Sequence, residues 1–199
     1  MKKDVKVDVI NLGDELLLGL RDNGHLTYLG RELKRHGLEI RRNHVVRDDP
    51  DEIRDVFPRI WSDADLVITT GGLGPTSDDL SREVIAEALG LKLEFVESVR
   101  MAIEERFALQ GRPVSANNFK QCYVLEGAEV LSNPHGTAPG VFLKLNDKIL
   151  VMLPGPENEL RPMFEERVLP RLQEEDYFAF EEQYMQLRSF GIGESMLEN

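Results

Sequence analysis

The chain reads as an α/β domain on a largely parallel sheet with helices on both sides. Two features of the sequence and its overall composition predict it. Strand-like and helix-like segments alternate along residues 5–90, the rhythm of right-handed βαβ crossovers. "DLVITT" (65–70) is a short, continuous apolar run, as a strand buried on both faces requires. With 199 residues, 41% hydrophobic and 30% charged, the composition suits one full domain and a small appendage.

The elements follow in order. "VKVDVINL" (5–12) is a β-branched first strand, followed by the loop "GDELLLG". "LTYLGRELKRHG" (26–37) spaces Leu26, Leu29 and Leu33 helically and ends on Gly37. "LEIRRNHVV" (38–46) is a second, partly exposed strand. Asp49 before Pro50 predicts an N-cap with proline in the first helical position. After 65–70 comes "GGLGPTSDD", then a helix expected over about 78–89 and stopped by Gly90. "ESVRMAIEERFALQG" (97–111) is amphipathic. "GVFLKLNDKILVMLPG" (140–155) predicts a hairpin about Asn146-Asp147. A helix from Pro156 to about Leu172 carries Pro162 and Pro170, which limit its regular span. The rest, 173–199, offers a linker, one strand and a first helical turn, the incomplete beginning of a small α+β unit.

In a sheet of this kind, ligands sit beyond the carboxyl ends of the strands. "GDELLLG", "RDDPD" and "GGLGPTSDD" each follow a strand, so they should meet on one rim. A net charge of −12 argues against a nucleic-acid phosphate backbone as partner, since that needs a basic face. Residues 157–182 carry half of that charge, nine acids against three arginines, and read as a solvated face. No apolar stretch approaches the roughly 20 residues of a membrane span. The single cysteine, Cys122, rules out an internal disulfide and a cysteine zinc site, and the four histidines are scattered. The expected address is cytoplasmic.

Gly71, Gly72 and Gly74 open a loop on which a phosphate could approach backbone N–H groups at a helix start near Thr76 and Ser77. The spacing is no dinucleotide fingerprint, because Ser77 replaces the third glycine, and no GxxxxGK[ST] is present. Asp78 and Asp79 would complement the helix dipole. An aspartate beside a phosphate requires a metal or a proton to be transferred.

"TTGGLGPTSDDLS" resembles the signature of the molybdopterin-binding fold shared by the MogA/MoaB enzymes and the N-terminal domain of CinA proteins. "GDELLLG", "NNFKQ" (117–121), "NPHGTAPGV" (133–141) and "LPGPENEL" (153–160) resemble the CinA branch in the same order, over about residues 5–172. The resemblance implies a three-layer α/β/α domain over 1–172, and a KH-like unit entered at 173–199. It implies metal- and potassium-dependent hydrolysis of ADP-ribose to AMP and ribose 5-phosphate, with Mg²⁺ or Co²⁺. The alternatives are a pterin- or nucleotide-binding module without catalysis, or a molybdopterin adenylyltransferase. A homo-oligomer is expected, a dimer being favoured.

Carried over by position, Asp48 and Asp79 become the catalytic residues and, with Glu15, the metal ligands. Gly71, Gly72, Gly74, Thr76, Ser77, Ser81, Lys120, Gly136, Thr137 and Gly155 become the ligand contacts, with Asn118 and Gln121 in a polar cluster about Lys120. One departure stands out: Asn23-Gly24-His25 replaces the family's Asp-Thr-Asn.

Overall fold

The computed structural model describes residues 5–178 and 190–191. The expected strand and helical turn of the C-terminal unit lie outside the described residues. Along the chain run β1 (Val7–Leu12), α1 (Asp14–Leu17), α2 (Gly24–Arg35), β2 (Ile40–Val46), α3 (Pro50–Asp63), β3 (Leu66–Thr70) and α4 (Ser81–Leu89). β4 (Leu93–Phe95), α5 (Glu97–Leu109), a 3₁₀ helix (Ala116–Cys122), β5 (Tyr123–Leu125) and β6 (Glu129–Leu131) follow. The hairpin β7 (Gly140–Leu145) and β8 (Lys148–Leu153) leads to α6 (Glu157–Met163), a π-helical turn (Phe164–Val168) and α7 (Leu169–Glu174).

The main sheet has the order β2-β1-β3-β8-β7-β6. β2, β1, β3 and β8 run parallel; β7 pairs antiparallel with β8 through the hairpin, and β6 pairs antiparallel with β7 at the edge. Alternate residues of each strand enter opposite cores, as the pleat demands. Val7, Val9, Leu66, Ile68, Ile149 and Val151 pack against α2, α6 and α7, with Leu29, Leu33, Phe164 and Leu172. Leu12, Val67, Leu150 and Met152 face α3 and α4, with Ile53, Phe57, Val84 and Ile85. Three layers result.

Local chemistry sets the boundaries. Asp49 caps α3 by accepting from the Asp51 and Glu52 amides at 2.8 and 3.1 Å. Asn146 and Asp147 take positive φ, 52° and 60°, as a two-residue hairpin turn matching the strand twist requires. α2 starts two residues earlier than its leucine spacing implies, because the Asn23 side chain accepts from Leu26 N at 3.0 Å. α4 starts at Ser81, not near Asp78, because Asp79 bonds back into the loop. The prolines of the last helix do not end it at 172: a π-helical turn lies between them, and the helical path reaches Glu174. Tyr177 and Phe178 still pack on the core beside α2, so the unit extends past residue 172. β4, β5 and β6, three residues each, have no counterpart in the sequence reading.

Candidate ligand site

The loops after β1, β2, β3 and β8 close around a cavity of about 310 Å³ at the carboxyl ends of the parallel strands. Glu15, Asp48 and Asp79 line it, with Gly71, Gly72 and Gly74 of the glycine turn. Thr137 and Gly155 line it as well. Eight of the expected site residues are thereby brought together from five separate stretches of sequence.

The glycines make the turn possible. At Gly71 (φ 92°) a Cβ would lie 2.6 Å from the Leu12 carbonyl oxygen, and at Gly72 (φ 67°) 2.8 Å from Ser81 Oγ. Not every glycine amide faces the cavity, however: Gly71 N donates to Leu153 O at 3.0 Å and ties the turn to β8.

Other expected contacts turn out to build the loop. Ser81 is fully buried, and its hydroxyl donates to Gly72 O at 2.6 Å, so it braces the turn from beneath. Thr76 and Ser77 are exposed on the outer side. Thr76 donates from its amide (3.0 Å) and its hydroxyl (2.5 Å) to Asp79 Oδ2. Lys120 donates to Thr76 O at 3.1 Å and to Asp79 O, and lies 3.7 Å from Glu83. It clamps the loop from behind instead of facing a phosphate. Gly136 donates to Asn133 Oδ1 at 2.9 Å, and a side chain there would collide with Glu159. The direction in which each side chain points depends on where α4 begins, and that start is fixed by the Asp79 carboxylate.

Burial and four surrounding carboxylates, Glu15, Asp79, Asp14 and Asp78, push the Asp48 carboxyl up to about 6. This concentration of acidic oxygen suits a hard divalent cation. Among the described residues, however, no three Asp, Glu, His or Cys side chains form a ready metal cluster. Glu15, Asp48 and Asp79 share a cavity but not a coordination sphere, and Asp79 Oδ2 is already engaged by Thr76. An ion held here would keep much of its own water, as Mg²⁺ commonly does.

A second cavity, about 190 Å³, adjoins the first and shares Leu12, Glu15, Gly155 and Pro156 with it. Asn23, Gly24 and His25 line it, together with Arg21 and Glu157. Asn23 Nδ2 donates to the buried Asn11 Oδ1 (2.9 Å), and Asn11 Nδ2 donates to Thr70 Oγ1 (2.8 Å). His25 Nδ1 lies 3.1 Å from the same Thr70 hydroxyl and is hydrogen-bonded to it. Burial lowers the His25 pKa against the pull of Glu157, which favours the neutral ring. The departure from the family triplet therefore forms a connected polar floor. His25, Glu157 and Glu159 were not among the expected contacts. Gln121 was quoted only within its polar cluster, because a glutamine in a loop carries no spacing signal.

A family model described as a probable molybdopterin binding domain matches residues 8–174. A putative competence-damage inducible protein of Bacillus pumilus is 40% identical over 198 residues, covering all of this chain and 48% of the relative. Its counterpart in Moorella thermoacetica is 43% identical over 98% of this chain and 47% of its own length. The chain thus spans about half the length of the curated relatives it matches. Among solved structures, CinA of Thermoplasma acidophilum superposes with a TM-score of 0.77 at 31% identity, over 84% of this chain and 99% of that one. MoaB of Thermus thermophilus, at TM-score 0.53 and 24% identity over 85% of this chain and 92% of its own, shares the fold. On the family match, the identities and the three-layer architecture together, the chain belongs to the molybdopterin-binding domain family, in its CinA-like branch.

Proposed function

We propose that this domain binds a phosphate-bearing heterocycle, a pterin or a nucleotide, in the cavity at the carboxyl ends of its parallel strands. One observation carries the reading: loops from separate crossovers bring a glycine turn and four carboxylates, Glu15, Asp48, Asp79 and Glu159, to a single cavity. A chain of net charge −12 repels anions at long range. The backbone of the glycine turn that lines the cavity would offset that field locally. A divalent cation with Asp48, and with Glu15 or Asp79 through water, offsets more of it. Mg²⁺ suits these oxygen donors best, and Co²⁺ is the second candidate.

The placement of Asp48 favours a second reading, hydrolysis of ADP-ribose to AMP and ribose 5-phosphate. Asp48 lines the cavity beside the glycine turn, where a carboxylate can accept the proton of an attacking water. Among the described residues, Thr137 is the one hydroxyl side chain lining the cavity, and no cysteine, lysine or histidine joins it there. Water is therefore the nucleophile this lining favours. A bound cation would supply polarisation of the phosphoryl oxygens. The glycine turn and Gly155 would hold the diphosphate while Asp48 takes the proton.

Calorimetric titration with AMP, ADP-ribose and a pterin, followed by assay for AMP with Mg²⁺ or Co²⁺ and K⁺, tests both readings. Binding without turnover leaves the module. Turnover that disappears in Asp48→Asn and Asp79→Asn supports the hydrolase. Absence of binding by all three compounds refutes the site.

A further inference from the structure

Gln121 is 1% exposed, lines the glycine-turn cavity, and has no hydrogen-bond partner among the described residues for either its amide oxygen or its amide nitrogen. Buried polar side chains are normally paired, because an unpaired amide forfeits its hydration with nothing in return. Its backbone is held firmly: the buried Arg82 guanidinium donates to Gln121 O at 3.3 Å, and the fully buried Cys122 follows. Lys120, on its other side, is tied to the glycine loop through Thr76 O. The backbone of Gln121 is thus held by a rigid frame at the cavity, and its carboxamide, closed off from solvent in the free protein, is left unpaired among the described residues.

From this we infer that Gln121 reads the heterocycle of the bound ligand. A primary amide presents a donor and an acceptor side by side. Its complement is a planar nitrogen ring with an acceptor next to an amine, as in adenine, or the corresponding lactam edge of a pterin. Glutamine pairs with adenine in this bidentate way in other settings. The assignment rests on the reading of the cavity as a ligand site. It adds to it by giving the ring-recognising contact to a residue distinct from the carboxylates and the glycine turn. It also divides the cavity: the turn and Asp48 serve the phosphate, and the 3₁₀ helix serves the ring.

The test compares wild type with Gln121→Met, which keeps size and removes both polar atoms, by calorimetry against AMP, 6-hydroxymethylpterin and ribose 5-phosphate. The expected result is at least a tenfold loss of affinity for whichever ring-bearing ligand wild type prefers. Ribose 5-phosphate binding should stay within twofold. The melting temperature should hold or rise, because an unpaired buried amide has been removed. Preference for AMP identifies a nucleotide, and preference for the pterin identifies a pterin; both support the inference. Unchanged affinity for the preferred ligand overturns it. A parallel loss for ribose 5-phosphate also overturns it, since that marks a purely structural glutamine. If wild type binds none of the three, the ligand-site reading itself falls, and the inference with it. Should Gln121→Met fail to fold, Gln121→Glu preserves length, removes the donor and is judged by the same ratios.

Discussion

Asp48 is the residue at which the electrostatics of the site can be weighed. Its carboxyl is pushed up to about 6 in the folded chain and titrates near 3.8 when unfolded. Below pH 3.8 it is protonated in both states and has no effect on stability. As pH rises through 6 the folded state must ionise it among its acidic neighbours, and stability is lost. A shift of two pKa units corresponds to about 3 kcal/mol, and screening of a half-exposed group reduces that to roughly 1 kcal/mol. Asp48→Asn is therefore expected to stabilise the ligand-free protein at pH 7.5 by about 1 kcal/mol. Denaturant titrations should show the gain shrinking to nothing near pH 4. A gain that is independent of pH would mean that the acidic neighbours do not act on Asp48. At the other end of β1, Asp8 is fully buried and receives Arg41 through two bonds, 2.9 and 2.7 Å long. Arg41→Ala leaves that carboxylate unpaired and should destabilise by about 3 kcal/mol, with ligand affinity unchanged. At this scale the sequence was informative where a residue follows a strand, since Glu15, Asp48 and Asp79 all reach the rim. It was silent where orientation decides. Ser81 and Lys120 turned inward to brace the loop, and Gln121 came to the cavity, for reasons that lie in three-dimensional packing.

Among the elements, the glycine turn between β3 and α4 carries the most specific geometry. Gly71 sits at φ 92°, where an added Cβ would meet the Leu12 carbonyl oxygen at 2.6 Å, and its amide is bonded to Leu153. Gly71→Ala adds both a left-handed backbone penalty and a clash with main-chain atoms that cannot rotate away. A destabilisation of about 2–3 kcal/mol is expected, along with loss of ligand binding. Thermal melts and calorimetry check the two effects, and full affinity in a stable variant would place the ligand elsewhere. Long elements were legible because their signals are redundant: Asp49-Pro50 marked the start of α3, Asn146-Asp147 the hairpin turn, and Gly90 the end of α4. The start of α4 was misplaced because Thr76 and Ser77 have the composition of a cap, while Asp79 in fact bonds back to Thr76. β4, β5 and β6 went unseen because three residues hold too little alternation to exceed background, and their pairing is decided by the register of neighbouring strands.

Across the whole molecule, the proposed cation would link proton and fold through one cavity, and that linkage yields a prediction with opposite signs in one variant. The parallel sheet and its rim were readable from rhythm alone, because βαβ crossovers leave few topologies open; the order of the strands was not. What rhythm could not convey is that, among the described residues, the rim carboxylates form no ready metal cluster, so that the proposed cation would have to draw Asp48 into ionised form. A ligand that binds only the folded state at one hundred times its dissociation constant stabilises by about 2.7 kcal/mol. For a domain of this size that is roughly 5–10 °C in melting temperature. Wild type should show such a rise with Mg²⁺ or Co²⁺ at pH 7.5, and a smaller one at pH 5, where protons compete for Asp48. Asp48→Asn should begin from a higher melting temperature and gain nothing from the ion. Arg41→Ala should begin from a lower one and gain as much as wild type, since its lesion lies at the far end of the sheet. Melting curves for the three proteins, each with and without the ion at both pH values, suffice to decide. If Asp48→Asn gains as much as wild type, the cation is held by Glu15 or Asp79 without Asp48. If none of the proteins gains, the acidic rim serves an uncharged or cationic ligand, and the metal-dependent reading is lost with it.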